Sequence, residues 1–411
     1  MVSRRRVTSL WVASVTFAML AARLARAATA ADVAGGTRAQ VSSGLAPMEY
    51  GGEPEPALIL ELQPAIGLQL SGPEWQLVLR YDPRGFWQLP NLGETARPLW
   101  LHRAGVSVDV QLSHRWTWEA SASGSMGEVD YAAPELVFVT PVSTVETEPV
   151  LSVLGADGST ELTYQRTARH SVSLGAKASR IGPIPGQASD SYGSSKSVGG
   201  FVEQQWRFSL RDSLRLPVSF TRSWLSLGPR YDAVEAQLAW RRQLTELSTL
   251  RLGAGAAVFL QRAEPAVFVP VANAEWEQLG RASSARRMGV RAGTSLSGYV
   301  DPVVGRVRPV WETEFAAARE IDAWWSLVAT VGGDTVVAAP LSPPQSETYV
   351  FTSVGLHRLI RPESDVAFGF ETSSRASHLS TRPFEVVDYQ ALVFVALSWV
   401  RGTADDNQWL W

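Results

Sequence analysis

Five histidines, no cysteine and forty acidic residues bound the chemistry open to this chain of 411 residues. A serine hydrolase needs a Ser, a His and a third group that orients the His. The histidines are His102, His114, His170, His357 and His378, and no G-x-S-x-G turn accompanies them. His378 near a loop acid such as Asp190 is the pairing that could serve a surface hydrolase. H-x-x-x-H spacing, an acidic calcium loop and a phosphate-cradling glycine loop are all missing from the sequence. Zero Cys excludes a disulfide framework, Cys-ligated zinc and a thiol nucleophile. A formal charge of −3 gives no support for a nucleic-acid partner. The residues therefore read as non-catalytic, with no metal and no cofactor.

What remains is charge laid down at regular spacing. Glu61, Arg103, Asp109, Glu119, Glu203, Arg207 and Arg215 stand out of phase with the apolar residues around them. Glu235, Arg241, Arg251, Arg291, Glu312, Glu314 and Glu371 do the same further along. If they share one wall of a pore, the mixture of signs with Gln, Ser and Gly suits a neutral polar solute or a polar polymer. The equal alternative is that they pair across strands and only hydrate that wall.

The elements that hold these residues have a period of two. Leu58, Leu60, Leu62, Ile66, Leu68 and Leu70 alternate with Glu61, Gln63, Gly67 and Gln69, as in a strand and not a helix. Ala104 to Leu112, Val234 to Trp240, Leu250 to Val258 and Tyr389 to Trp399 repeat the pattern. Apolar faces of five or six alternate positions imply strands of roughly ten residues or more, long enough to cross a bilayer when tilted. Short turns at 71–74, 113–115, 167–170, 211–213 and 361–364 alternate with longer links near 82–99, 127–150, 182–197, 337–346 and 375–387. Short periplasmic turns opposite long outer loops describe an outer-membrane barrel.

Composition agrees. Sixteen Trp is a large number for one chain. Trp75, Tyr81, Trp116, Trp118, Trp240, Trp324, Trp325 and Trp399 stand where strands begin or end, as rings do at a membrane interface. The first 27 residues combine Arg4, Arg5 and Arg6, an apolar run from Val7 to Leu20 and an Ala25-Arg26-Ala27 cleavage site, which is the pattern of a signal peptide. Its removal takes five Arg and no acid from 37 basic and 40 acidic residues, leaving 32 against 40, or −8.

The expected organisation is a signal peptide (1–27), a periplasmic leader that could hold a weak first strand (28–56), a transmembrane barrel (57–400) and a short tail (401–411). The fold class is all-β, a transmembrane antiparallel up-and-down barrel. Alternation yields about seventeen segments, and both ends in the periplasm require an even number. Eighteen strands is the expectation, with sixteen as alternative, and the missed strand is sought in 37–49 at Thr37, Ala39 and Val41.

With these features the chain resembles the Gram-negative outer-membrane β-barrels of the porin-like superclass. Size and strand number also make it similar to the barrels that secrete exopolysaccharide. The resemblance implies the outer membrane as location, its lipid and the barrel assembly machinery as partners, and a polysaccharide as possible cargo. Assembly signals of such barrels end on an aromatic residue of an apolar strand. Trp399 fits that pattern, whereas Trp411 follows Asp405 and Asn407. A pore for polar solutes or a polysaccharide is the expected function, with a plugged structural or adhesive barrel, or a surface hydrolase, as alternatives.

Overall fold

The computed structural model describes residues 29–47, 54–89, 98–130, 150–184, 194–226, 230–261, 265–279, 288–300, 307–321, 325–336, 347–361, 366–379 and 385–401. Alternating apolar and polar side chains leave each segment with one face for lipid and one for water, so every segment becomes a strand. Nineteen strand segments result among the described residues. They are β1 (Ala30–Pro47), β2 (Pro54–Gly72), β3 (Trp75–Tyr81), β4 (Arg84–Leu89), β5 (Leu99–Ser113) and β6 (Trp116–Asp130). β7 (Val150–Thr167), β8 (His170–Pro183), β9 (Ser195–Arg207), β10 (Asp212–Leu225), β11 (Arg230–Thr245) and β12 (Ser248–Gln261) follow. β13 (Val267–Leu279), β14 (Met288–Val300), β15 (Val307–Glu320), β16 (Trp325–Val336), β17 (Glu347–Arg361), β18 (Val366–Leu379) and β19 (Glu385–Arg401) complete the chain.

Apart from β3 and β4, each strand pairs antiparallel with its sequence neighbours, and β1 pairs with β19 from Val33↔Arg401 to Leu45↔Tyr389. The sheet is closed. Closure satisfies the backbone groups that an open edge would strand in lipid. β3 and β4 occupy one place in the ring, since both pair with β2 on one side and β5 on the other. The nineteen segments thus form eighteen staves. The break is at Asp82-Pro83, where proline removes a ladder N–H. This corrects the expected long link at 82–99, which contains the strand β4. The turn expected at 211–213 is instead at 208–211, because Asp212 and Ser213 already belong to β10. The alternation at Thr37, Ala39 and Val41 lies on β1, a full strand of 18 residues. Residues 1–28 and 402–411, hence the signal-peptide reading, the tail and Trp411, lie outside the described residues.

Register carries one face unbroken around the ring. Leu60 pairs with Val41, Val41 with Val393, Val393 with Phe370 and Phe370 with Leu356. Large apolar side chains of this face stand exposed in several sectors, among them Ile66, Leu174, Val198, Phe268, Trp311 and Val354. Such a surface is stable only against hydrocarbon, so it is the outer face. Strand β11 shows the extent of the belt. Val234, Ala236, Leu238 and Trp240 lie on the outer face between Asp232 at one end and Arg242 at the other. Asp232 receives a bidentate pair from Arg222 at 2.6 and 2.8 Å, and Arg242 approaches Asp212 at 3.9 Å. These ion pairs mark the two polar rims.

Candidate functional site: the inner wall

The alternate residues form the opposite, inner face. By register the fourteen charged residues named above all fall on it. Asp109 pairs with Glu119 and Glu119 with Glu161; Arg241 pairs with Arg251 and Arg251 with Glu275. Glu312 faces Ser295, Glu314 faces Gly293 and Glu371 faces Gly355. Curvature toward this side is visible where Gln237 of β11 donates to Asn273 of β13 at 2.6 Å, passing over Gly253 of β12. Side chains two strands apart meet in this way on the concave side of a sheet.

The wall has three sectors. On β5–β9 it is a field of hydroxyls: Ser121–Ser159 at 2.8 Å, Thr163–Ser173 at 2.8 Å and Ser179–Ser197 at 2.7 Å, with Ser123 donating to Asp157 at 2.6 Å. Through it runs a ridge of three carboxylates in register, Asp109, Glu119 and Glu161. On β9–β14 arginines and glutamates are interleaved. Arg251 pairs with Glu275 at 2.7 Å, Arg291 with the same Glu275 at 3.1 Å, and Arg215 with Glu203 at 3.7 Å. Arg207 and Arg241 flank Ser213 from either side with no ion-pair partner among the described residues.

The third sector, on β2–β5, is occluded. Arg84 clamps Glu61 at 2.6 and 2.9 Å with side chains 18% and 8% exposed. Asp82, at the strand break, accepts from Arg80 at 3.2 Å and Arg103 at 2.9 Å. Phe86, Gln88, Leu99 and Leu101 are buried beside them. Here the wall is closed by protein and not by water. Sequence reasoning missed Asp82 and Arg84 because they sit at a break in the alternation, whereas Arg80 falls on the polar side of the alternating stretch 75–81.

Most of the aromatic candidates lie on the outer face, many of them at the short-turn end. Trp75, Trp116, Trp118, Trp240, Trp325 and Trp399 take this position by register, and Tyr81 lies further along β3. Trp324 lies outside the described residues. Trp118 donates its indole N–H to Thr160 at 2.9 Å, and Trp276 donates to Ser248 at 3.1 Å. The Tyr81 hydroxyl and the His102 ring nitrogen Nδ1 share a bond of 2.8 Å. Among the described residues no group of three or more His, Asp or Glu could hold a metal ion.

No family model and no characterised protein sequence matches the chain. Among solved structures it is similar to OccAB4 of Acinetobacter baumannii, at 8% identity and TM-score 0.48, with 91% of this chain and 99% of that one covered. The outer membrane protein OpdK of Pseudomonas aeruginosa gives 11% identity and 0.45, over 90% and 99%. OpdF of the same organism, solved with glucuronate, gives 10% and 0.43, over 91% and 98%. Likeness at this level settles nothing by itself, and the reading rests on the ring of pairings and its two faces. A closed antiparallel sheet of eighteen staves with a lipid-facing belt and a charged interior gives this chain the architecture of a transmembrane β-barrel.

Proposed function

We propose that the barrel is a passive pore for small polar solutes across the outer membrane. The observation that carries this is the inner wall of β5–β14, where hydroxyls, carboxylates and guanidinium groups follow one another on the inner face. Eighteen staves enclose a lumen wider than side chains can fill, so a polar wall of this kind is wetted. The carboxylate ridge and the Arg207–Arg241 sector face the same water from different sides, which gives no strong preference for either ion sign. Hydroxyl-rich lining favours uncharged, hydrogen-bonding solutes such as sugars. A polysaccharide is the finer version of the same reading, with the hydroxyl field as its track; the carboxylates and hydroxyls there would bond successive sugar hydroxyls. The buried Glu61–Arg84 and Asp82–Arg103 cluster narrows the passage on one side and works as a size filter. Liposome swelling tests the proposal. Proteoliposomes should swell in isotonic monosaccharide, more slowly in disaccharide, and not in long dextran. Swelling no faster than that of protein-free liposomes in every sugar would refute it.

A further inference from the structure

A row of cations crosses the outer face of β8–β11 at the long-link end. In register, Arg180 pairs with Lys196, Lys196 with Trp224 and Trp224 with Arg230. Each shares the parity of an exposed apolar residue in its own strand, Leu174, Val198, Phe220 and Val234 respectively, so all four stand on the lipid-facing side. Arg222 lies in the next row inward, and Asp232 is the one carboxylate of this patch among the described residues. Asp232 serves only one side of it. Arg222 holds that carboxylate with bonds of 2.6 and 2.8 Å, and Arg230 lies 3.8 Å from it with its guanidinium 5.7 Å over the Trp224 ring. On the other side, Arg180 and Lys196 face each other with no carboxylate partner among the described residues. The Nε of Arg180 is shielded from water and makes no hydrogen bond there. Like charges directly opposite across two strands repel, and an anion between them removes the repulsion. At the opposite rim the outer-face cation Arg242 has Asp212 at 3.9 Å.

Depth points to the source of that anion. The row stands two residues beyond Arg222 and Asp232, about 5 Å further along the membrane normal at ~3.4 Å per residue and a tilt of roughly 40°. The Arg222–Asp232 pair closes the apolar belt, so Arg180 and Lys196 reach the headgroup layer. Below them Leu174, Val198 and Phe220 are exposed to acyl chains. Beside Arg180 the row continues through Ala156 and Gly124, whose small size leaves the guanidinium open from that side. Charge gives the type of headgroup. A phosphomonoester carries nearly two negative charges at neutral pH and matches the two cations, whereas a phosphodiester carries one.

We infer that Arg180 and Lys196 bind the phosphomonoester of a phosphorylated glycolipid in the outer leaflet, whose acyl chains lie on the apolar face below. The assignment rests on the outer-membrane orientation of the pore reading but not on an open lumen: swelling reports the lumen, and lipid retention reports the row. The test incubates the purified chain in detergent micelles with diphosphorylated lipid A and counts retained lipid by native mass spectrometry. Retention should fall at least about tenfold in the Arg180→Gln/Lys196→Gln double variant, as one or two charge-assisted hydrogen bonds are lost. It should persist in Lys196→Arg and in Arg242→Gln at the opposite rim. The lipid arms need no variant. Lipid A stripped of its phosphates should be retained at least about tenfold less, and phosphatidylglycerol, a phosphodiester, several-fold less. Retention of lipid A by the double variant at the level of the unaltered chain would overturn the inference, as would equal retention of the stripped lipid or of phosphatidylglycerol. Loss of lipid A in excess inorganic phosphate would assign the pair to a free anion and overturn the lipid assignment.

Discussion

Arginine placed at successive outer-face positions of β11 should trace the thickness of the membrane. From Asp232 to Arg242 the strand advances ten residues. At about 3.4 Å per residue and a tilt of roughly 40°, this is a height of about 26 Å, close to the ~25 Å apolar band of such barrels. The midplane then falls at Gln237, whose side chain faces the interior and bonds Asn273. Ala236 and Leu238 straddle it at about 3 Å, whereas Val234 and Trp240 lie about 8 Å away. Ala236→Arg and Leu238→Arg should each cost about 2–4 kcal/mol, falling to about 1 kcal/mol for Val234→Arg and Trp240→Arg. Gln237→Arg faces water and disturbs one hydrogen bond to Asn273, so it should cost about 1 kcal/mol or less. Reversible folding into phospholipid vesicles, followed by tryptophan fluorescence in guanidinium chloride, reads all five. A flat profile, or a cost for Gln237→Arg equal to that of Leu238→Arg, refutes the assignment of faces and belt.

Other predictions concern the inner wall and the strand break. Neutralising the ridge with Asp109→Asn, Glu119→Gln and Glu161→Gln should lower the cation-to-anion permeability ratio about eightfold, since each charge ~8 Å from the ion path favours a cation and disfavours an anion by roughly 0.2 kcal/mol after screening at 0.1 M salt. Reversal potentials under a salt gradient measure it, and Arg207→Gln with Arg241→Gln should move them the other way. Arg84→Ala removes both bonds to Glu61 and should destabilise the barrel by about 3 kcal/mol, whereas Arg215→Ala, at a more exposed and looser pair, should cost under about 1 kcal/mol. Gly127 has φ +153°, and a Cβ there would meet the Trp100 carbonyl oxygen and stand 2.8 Å from the Leu101 Cα. Gly127→Ala should therefore cost about 2 kcal/mol or more in the same folding titration, with Gly124→Ala near zero as its control.

Much of this architecture is legible because lipid and water impose a strict period of two. Where both faces meet their expected solvent, as in Leu58–Leu70 or Leu250–Val258, the strand reads directly from the sequence. The pattern fails where an inner face is covered by protein. β13 opens Val267-Phe268-Val269 with apolar residues on both faces, because Val307 at the start of β15 covers the inner one, and no alternation marks it as a strand. β4 is hidden likewise: Asp82-Pro83 breaks the stave, and Phe86 and Leu101 are buried inside where polar residues would be expected. The charged residues of the wall follow from parity alone. Their partners do not, because pairing depends on register, and register is set by turn lengths that composition leaves open.

A passive pore requires that the closed sheet surround a continuous water path. Single-channel recording in planar bilayers tests it directly. Discrete, ohmic conductance steps are expected after insertion of the purified chain, reduced by uncharged polymers small enough to enter. A barrel that folds and inserts but passes no current at any voltage would contradict it.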